Sequence, residues 1–317
     1  MNKSLFLAIV DRLSQEFEFF QLKEDASGRS TLSPLQKCTA AIRQLAYGGA
    51  ANAIDEYVRM AETTARKCLH HFTAGIIHLF GDEYLRHPTP EDLERLLAVG
   101  EQRGFPGMIG SIDCMHWEWK NCPAAWKGMY SHGTDKPTIV LEAVAGQDLW
   151  IWHAFFGAPG TLNDLNILDR SPVFDEIING NAPEVHFHVN GREYDLAYYL
   201  VDDVERAFGV LQARFAVVRN PSNLWDKNKL GNIMRACIIL HNMIVENERD
   251  SYLRTSEFQQ GEDDDPSFVV RRNTNIRTTL GRRADVRDTA GYLQLKEDLI
   301  EDIWAKYGHL PNLPNDM

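Results

Sequence analysis

The sequence predicts a mixed α/β fold: a helical region, then a sheet with helices packed on it. Three observations carry this. Apolar side chains recur at helical spacing over residues 33–80, three strand-like runs follow one another over 105–160, and helical spacing resumes after residue 204. The 317 residues, 44% of them hydrophobic and 25% charged, suffice for one sizeable core plus a smaller appended domain.

The first element is an amphipathic helix over residues 3–20, followed by the break "EDASGRST" (24–31). Acids directly after its short apolar run fit that helix and not the pattern expected of a signal peptide. Ser33 as N-cap and Pro34 in the first turn open a second helix. Its apolar positions Leu35, Cys38, Ile42, Leu45 and Ala46 run until Gly48-Gly49 stop it. "AANAIDEYVRM" (50–60) and "AETTARKCLHHFTAGIIHLF" (61–80) read as a short and a long helix. That outline fits a helix-turn-helix and an ordinary bundle alike. One more helix lies in "HPTPEDLERLLAVGEQRGFPG" (87–107), whose closing proline and glycine mark a boundary. The expected domains are a helical, helix-turn-helix-like region 1–104, an α/β domain 105–250 and a tail 251–317.

The α/β domain opens with the strand "GMIGSIDCMHWEWK". "KPTIVLEAVAGQDLWIWHAFFGAPG" gives two more strands joined by a tight "AGQD" turn (145–148). The second, "LWIWHAFF", is continuously apolar, which predicts a central strand buried on both faces. "TLNDLNILDRSPVFDEII" begins a helix, and "VHFHVNGREYDLAYYLVD" reads as a hairpin ending in a further strand. In "DVERAFGVLQARFAVV", Val204, Ala207, Phe208, Leu211 and Phe215 line one helix face, with Glu205 just off it. "LWDKNKLGNIMRACIILHNMIVENE" is another apolar-faced helix. The tail holds an acidic loop, "GEDDDP" (261–266), six arginines (Arg271, Arg272, Arg277, Arg282, Arg283, Arg287) and a final amphipathic helix near 288–306. A three-strand meander with helices around it is how an RNase H-like core begins, and such cores commonly hold a carboxylate on the first strand.

A net charge of −12 excludes a general polyanion binder; affinity for nucleic acid would need a local basic face or a basic partner. Five cysteines without a CxxC pair read as reduced thiols of an intracellular protein, and no zinc site is expected. No apolar run approaches the roughly 20 residues of a membrane span.

Asp113 in "MIGSIDCMHWEW" stands among Met108, Ile109, Ile112, Met115 and Trp117. Burying an unpaired charge is costly, so this acid needs a buried basic partner or a multiply positive neighbour. A divalent cation such as Mg2+ would serve, taking one or two carboxylates plus water and substrate phosphate. Two such ions about 4 Å apart can hold the attacking water and the leaving oxygen of a phosphodiester, which requires acids delivered by several elements. Asp164 in "GAPGTLNDLN" is one candidate, with an N-cap role as its plainer reading. Asp202 ends the strand "AYYLVD" and reads equally as a turn or cap residue. Glu205 reads equally as a solvated first-turn acid.

"GFPGMIGSIDCMHWEWKNCPAAWKGMY", "LEAVAGQDLWIWHAFFGAPGTLNDLNILDRSPVF", "VERAFGVLQARF" and "ACIILHNMIVENE" together resemble the plant PIF/Harbinger transposases and their domesticated, nuclease-like relatives, over about residues 33–252. The resemblance implies an RNase H-like DDE nuclease that cuts DNA with Mg2+ or Mn2+. It assigns Asp113, Asp202 and Glu205 as catalytic acids and metal ligands, and Asp164 as an accessory metal ligand. It also implies action in the nucleus, beside the cytoplasm, with DNA and a basic Myb-like protein as partners. One departure stands out. In the family a further stretch separates the acid ending "YYLAD" from "DVERAFG", whereas here "YYLVD" runs straight into "DVERAFG". The absent stretch should hold the last core strand and its crossover helix, at least about a dozen residues. Asp202 and Glu205 thereby become i,i+3 neighbours, and Asp203 competes with Asp202 for the family position. The resemblance thus carries two functions: a metal-dependent endonuclease with impaired cutting, or an inactive domesticated transposase serving as a nuclear protein-binding adaptor.

His241 reads as a hydrogen-bonded core histidine on the stripe of Met234, Cys237, Ile244 and Val245. His116, three residues past Asp113, falls on the opposite strand face. Trp117, Trp119, Trp150 and Trp152 read as sheet packing. The tail arginines fit phosphate contacts and a solvated tail equally.

Overall fold

The computed structural model describes residues 1–24, 30–48, 60–131, 136–201, 204–255, 268–271 and 279–308. Among these the order begins with helices α1 (Lys3–Glu16), α2 (Pro34–Tyr47), α3 (Glu62–Tyr84) and α4 (Pro90–Gln102). Strand β1 (Met108–Glu118), α5 (Ala124–Tyr130), β2 (Thr138–Ala145), β3 (Ile151–Pro159), α6 (Asp164–Leu168) and α7 (Asp175–Asn179) follow. Next come β4 (Glu184–Val189), β5 (Arg192–Tyr194), β6 (Tyr198–Val201), α8 (Glu205–Arg214), α9 (Ala216–Arg219) and α10 (Lys227–Thr255). Strand β7 (Phe268–Arg271), α11 (Thr279–Val286) and α12 (Thr289–Tyr307) complete a mixed α/β protein. No helix among the described residues is long and apolar enough to cross a membrane. The short helix expected over 50–60 lies, except for Met60, outside the described residues, as do "GEDDDP", Arg272 and Arg277.

The chain forms two compact units, interleaved along the sequence: Met1–His87, Ile112–Arg170 and Asp202–Phe258 in one, Pro88–Ser111, Ser171–Val201 and Gln259–Met317 in the other. Strand β1 passes from the second unit into the first.

In the first unit, α2 begins as the sequence dictates. Ser33 and Gln36 form a reciprocal capping box, Pro34 occupies the first turn, and Gly48 ends the helix at φ 59°. A side chain at 48 would meet the Ala216 carbonyl at 2.6 Å, so glycine is required by space as well as by conformation. Gln44, 5% exposed, ties α2 to α3 by donating from Nε2 to the Ala65 carbonyl at 2.9 Å. α10 is buried on every side from Ile233 to Val245 except at Arg235, as a helix running through a core must be.

The sheet of this unit is a meander ordered β3-β2-β1. β2 and β3 pair antiparallel, Ile139 opposite Pro159 and Val144 opposite His153. The apolar run in β3 predicts a central strand, but β2 is central and β3 is the edge. Nor is it buried along its whole length: Ile151, Trp152, Gly157 and Ala158 are buried, but His153, Ala154, Phe155 and Phe156 are half-buried. α10 packs against β3, and the Asn242 side chain accepts from Ile151 N at 2.9 Å and donates to Ile151 O at 2.8 Å. That amide occupies edge groups that would otherwise invite another strand. His241 is fully buried, hydrogen-bonded through Nε2 to the Leu149 carbonyl at 2.8 Å, with burial pulling its pKa down to about 4. It is the neutral core histidine the sequence predicts. Trp117, Trp119, Trp150 and Trp152 are all buried in packing.

In the second unit, α4 has a Thr89–Asp92 capping box with Pro90 at its start. The β4–β5 hairpin turns through Asn190 (φ 50°) and Gly191 (φ 77°), the left-handed pair of a type I′ turn. β7 pairs with β4, Phe187 opposite Phe268. β6 lies beside the start of β1, Tyr198 N donating to Gly107 O at 3.1 Å. Asp298 of α12 is 3% exposed and hydrogen-bonded to Tyr194, and it pairs with Arg192 at 3.2 Å.

Candidate functional site

Asp113 sits half-buried in β1, where its Oδ1 accepts from the Cys114 amide at 2.7 Å. Alternation along a strand puts Asp113, Met115 and Trp117 on one face and Cys114 and His116 on the other. His116 is exposed and bonds Thr138 through Nδ1 at 3.3 Å, consistent with a structural role.

Asp164 is exposed as the first residue of α6. Its plainer reading as an N-cap needs correction: Asn163 is the cap, its side chain accepting from Asn166 N at 2.9 Å. The cap role fell to the residue with extended backbone, which left Asp164 free to turn toward β1, where its carboxylate is hydrogen-bonded to the Cys114 thiol.

A third acid joins them. Glu142 of β2 is 1% exposed and lies 3.5 Å from Nε2 of His153 on β3. Cys114 registers all three. Its thiol is pushed up to about 12, first by burial and then by the charges of Asp164, Glu142 and Asp113, with the Asp164 hydrogen bond adding to the effect. The thiol therefore stays protonated at neutral pH and acts as a donor, not as a nucleophile. Asp164 meets the thiol directly, whereas Asp113, the preceding residue of β1, projects to the opposite strand face and acts on it only through its charge.

Glu142 was legible and overlooked. It is the lone acid in "TIVLEAVA", the same anomaly that singles out Asp113. Cys114 carried no signal, because nothing in the sequence shows which side chains converge on it.

Glu205 is the first residue of α8 and is exposed. Val204, Ala207, Phe208 and Leu211 are buried, so the apolar stripe forms as predicted with Glu205 off it. Seven residues on, Gln212 shares the helix face of Glu205 and donates to the Met115 sulfur at 2.8 Å, on the strand face of Asp113. Gln212 thus joins α8 to the strand face that carries Asp113. Asp202 and its neighbour Asp203 lie outside the described residues. The charges of Asp164, Glu142 and Asp113 all act on the Cys114 thiol, but among the described residues no three His, Cys, Asp or Glu side chains form a group that could hold a metal ion. Carboxylate oxygens are the donors that Mg2+ and Mn2+ take, so the residue types suit such an ion.

The family model described as plant transposon protein matches residues 82–204 and 201–252, more than half of the chain. The two matches meet at 201–204, where the sequence runs straight from "YYLVD" into "DVERAFG". "Protein ALP1-like" of Arabidopsis thaliana is 22% identical over 263 residues, covering 71% of this chain. The chain spans 63% of the length of that relative. No solved structure matches. The matched residues include Asp113, Asp164 and Glu205, and on this evidence the chain belongs to the plant transposon protein family, as its resemblance to Harbinger-type transposases leads one to expect.

Proposed function

We propose that the chain is a transposase-derived DNA nuclease core that retains divalent-metal binding but whose strand cutting is impaired by its short junction at 201–204. The observation that carries this reading is Asp113 on the first strand of the β3-β2-β1 meander, within a family match that also holds Asp164 and Glu205. The strand order β3-β2-β1-β6, with an acid on β1, is what an RNase H-like core would use. In such a core Asp113, Asp202 and Glu205 would hold Mg2+ or Mn2+, with Asp164 as accessory ligand. When bound, the ion would stabilise charge on a phosphodiester and activate water. The chain's own part is to fix the carboxylates, and geometry of this kind tolerates little displacement. With Asp202 and Glu205 three residues apart instead of on separate elements, cutting would suffer before binding does.

Action on DNA would place the protein in the nucleus. With a net charge of −12, delivery to duplex DNA would fall to a basic, Myb-like partner. The second reading, an inactive adaptor, is favoured by the break in the family match at 201–204.

Plasmid nicking separates the two. The chain as it stands should leave supercoiled plasmid uncut in Mn2+. A chain with the stretch from a longer relative restored between 201 and 204 should nick it, and Glu205→Gln should abolish that nicking. A restored chain that remains inert contradicts the nuclease reading.

A further inference from the structure

The first unit carries a second group of chemistry-bearing residues that the acids do not use. Helix α5 is held by Tyr130, 2% exposed, while Trp126 is 42% exposed and Met129 52%. Trp225, just before α10, is 70% exposed. These exposed side chains share one support. Buried Trp119 lies with its ring 6.0 Å from that of Trp126 and edge-on to Tyr130 at 5.2 Å, and its Nε1 donates to the Leu224 carbonyl at 2.7 Å. Asn121 donates to the Asn223 carbonyl at 2.7 Å, and Ser222 N donates to the Glu118 carbonyl at 2.8 Å. The segment before Trp225 is therefore pinned to the end of β1, beside the base of α5.

One exposed indole is ordinary; two, with a methionine, on one rigid support make a patch that wants a partner. Charge says what kind. Residues 117–130 carry Lys120 and Lys127 against Glu118, and residues 221–230 carry Lys227 and Lys229 against Asp226. Both acids are engaged: Glu118 pairs with Lys136 at 3.4 Å, and Asp226 accepts from Asn228 N at 2.8 Å at the start of α10. Lys227 lies over the Tyr130 ring at 5.8 Å. In a chain of net charge −12, this is a local reversal of sign. Flat aromatic faces between lysines suit a strand whose bases are unpaired, because a duplex keeps its base faces stacked inside.

The geometry points to Trp126 and Trp225, flanked by Lys120, Lys127 and Lys227, as a stacking platform for unpaired nucleotides of single-stranded DNA. This rests on the reading of the protein as one that acts on DNA, and names where such a strand would lie.

The test is fluorescence anisotropy of a labelled oligothymidylate of about 16 nucleotides at low salt in EDTA, with a duplex of equal length beside it. The full chain should bind the single strand more tightly than the duplex. Combining Trp126→Ala with Trp225→Ala should weaken single-strand binding by at least about tenfold, whereas Trp→Phe at both positions should stay within about threefold. Circular dichroism of both variants checks that the fold is kept. Binding by the double alanine variant equal to the parent, or no preference of the parent for the single strand, overturns the platform. Because the assay runs in EDTA, its outcome does not depend on metal binding by the carboxylates, so failure of the platform and failure of the metal site are told apart.

Discussion

The Cys114 thiol feels the charges of Asp164, Glu142 and Asp113, and each carboxylate opposes its ionisation. Removing one of those charges must therefore lower the thiol pKa and raise the thiolate fraction at a given pH. In a Cys122→Ser background the other cysteines, Cys38, Cys68 and Cys237, are buried, so alkylation by iodoacetamide at pH 8.5 reports Cys114. Asp164→Asn should speed that alkylation severalfold, since each unit of pKa is about tenfold in thiolate. A rate that does not change would place Asp164 away from the thiol. At this scale the sequence was legible wherever a residue contradicted its surroundings: Asp113 among apolar neighbours declared itself, and Glu142 did so in the same way. Asp164 did not, because an acid at a helix start is ordinary, and only the fold shows that Asn163 takes the cap.

Helix ends were the most legible elements, because capping is local chemistry: Ser33, Pro34 and Gly48 each do what their side chains or backbones favour. Strand neighbours are not local: β3 lies at the sheet edge, where its Ile151 bonds Asn242, 91 residues away in sequence. Asn242 is fully buried and also donates to the Tyr84 carbonyl at 2.8 Å, joining α3, β3 and α10. Asn242→Ala would strand three buried backbone groups. It should cost about 2–4 kcal/mol in denaturant unfolding. A loss below about 0.5 kcal/mol would mean that the amide is not what closes this edge.

For the molecule as a whole, the two units are each built from three separate stretches of chain, with β1 continuous through both. No reading of linear segments could reveal that, since interleaving follows from contacts between residues distant in sequence. What the sequence did reveal at this scale is the family and the abrupt junction, which falls where the two family matches meet. The account depends on carboxylates that still hold a divalent ion despite that junction. Isothermal calorimetry of the full chain with Mn2+ tests this most directly. The account predicts saturable heat in the parent, weakened at least about tenfold by Asp113→Asn and reduced by Asp164→Asn. A parent without saturable heat, or one whose heat survives Asp113→Asn unchanged, would contradict it.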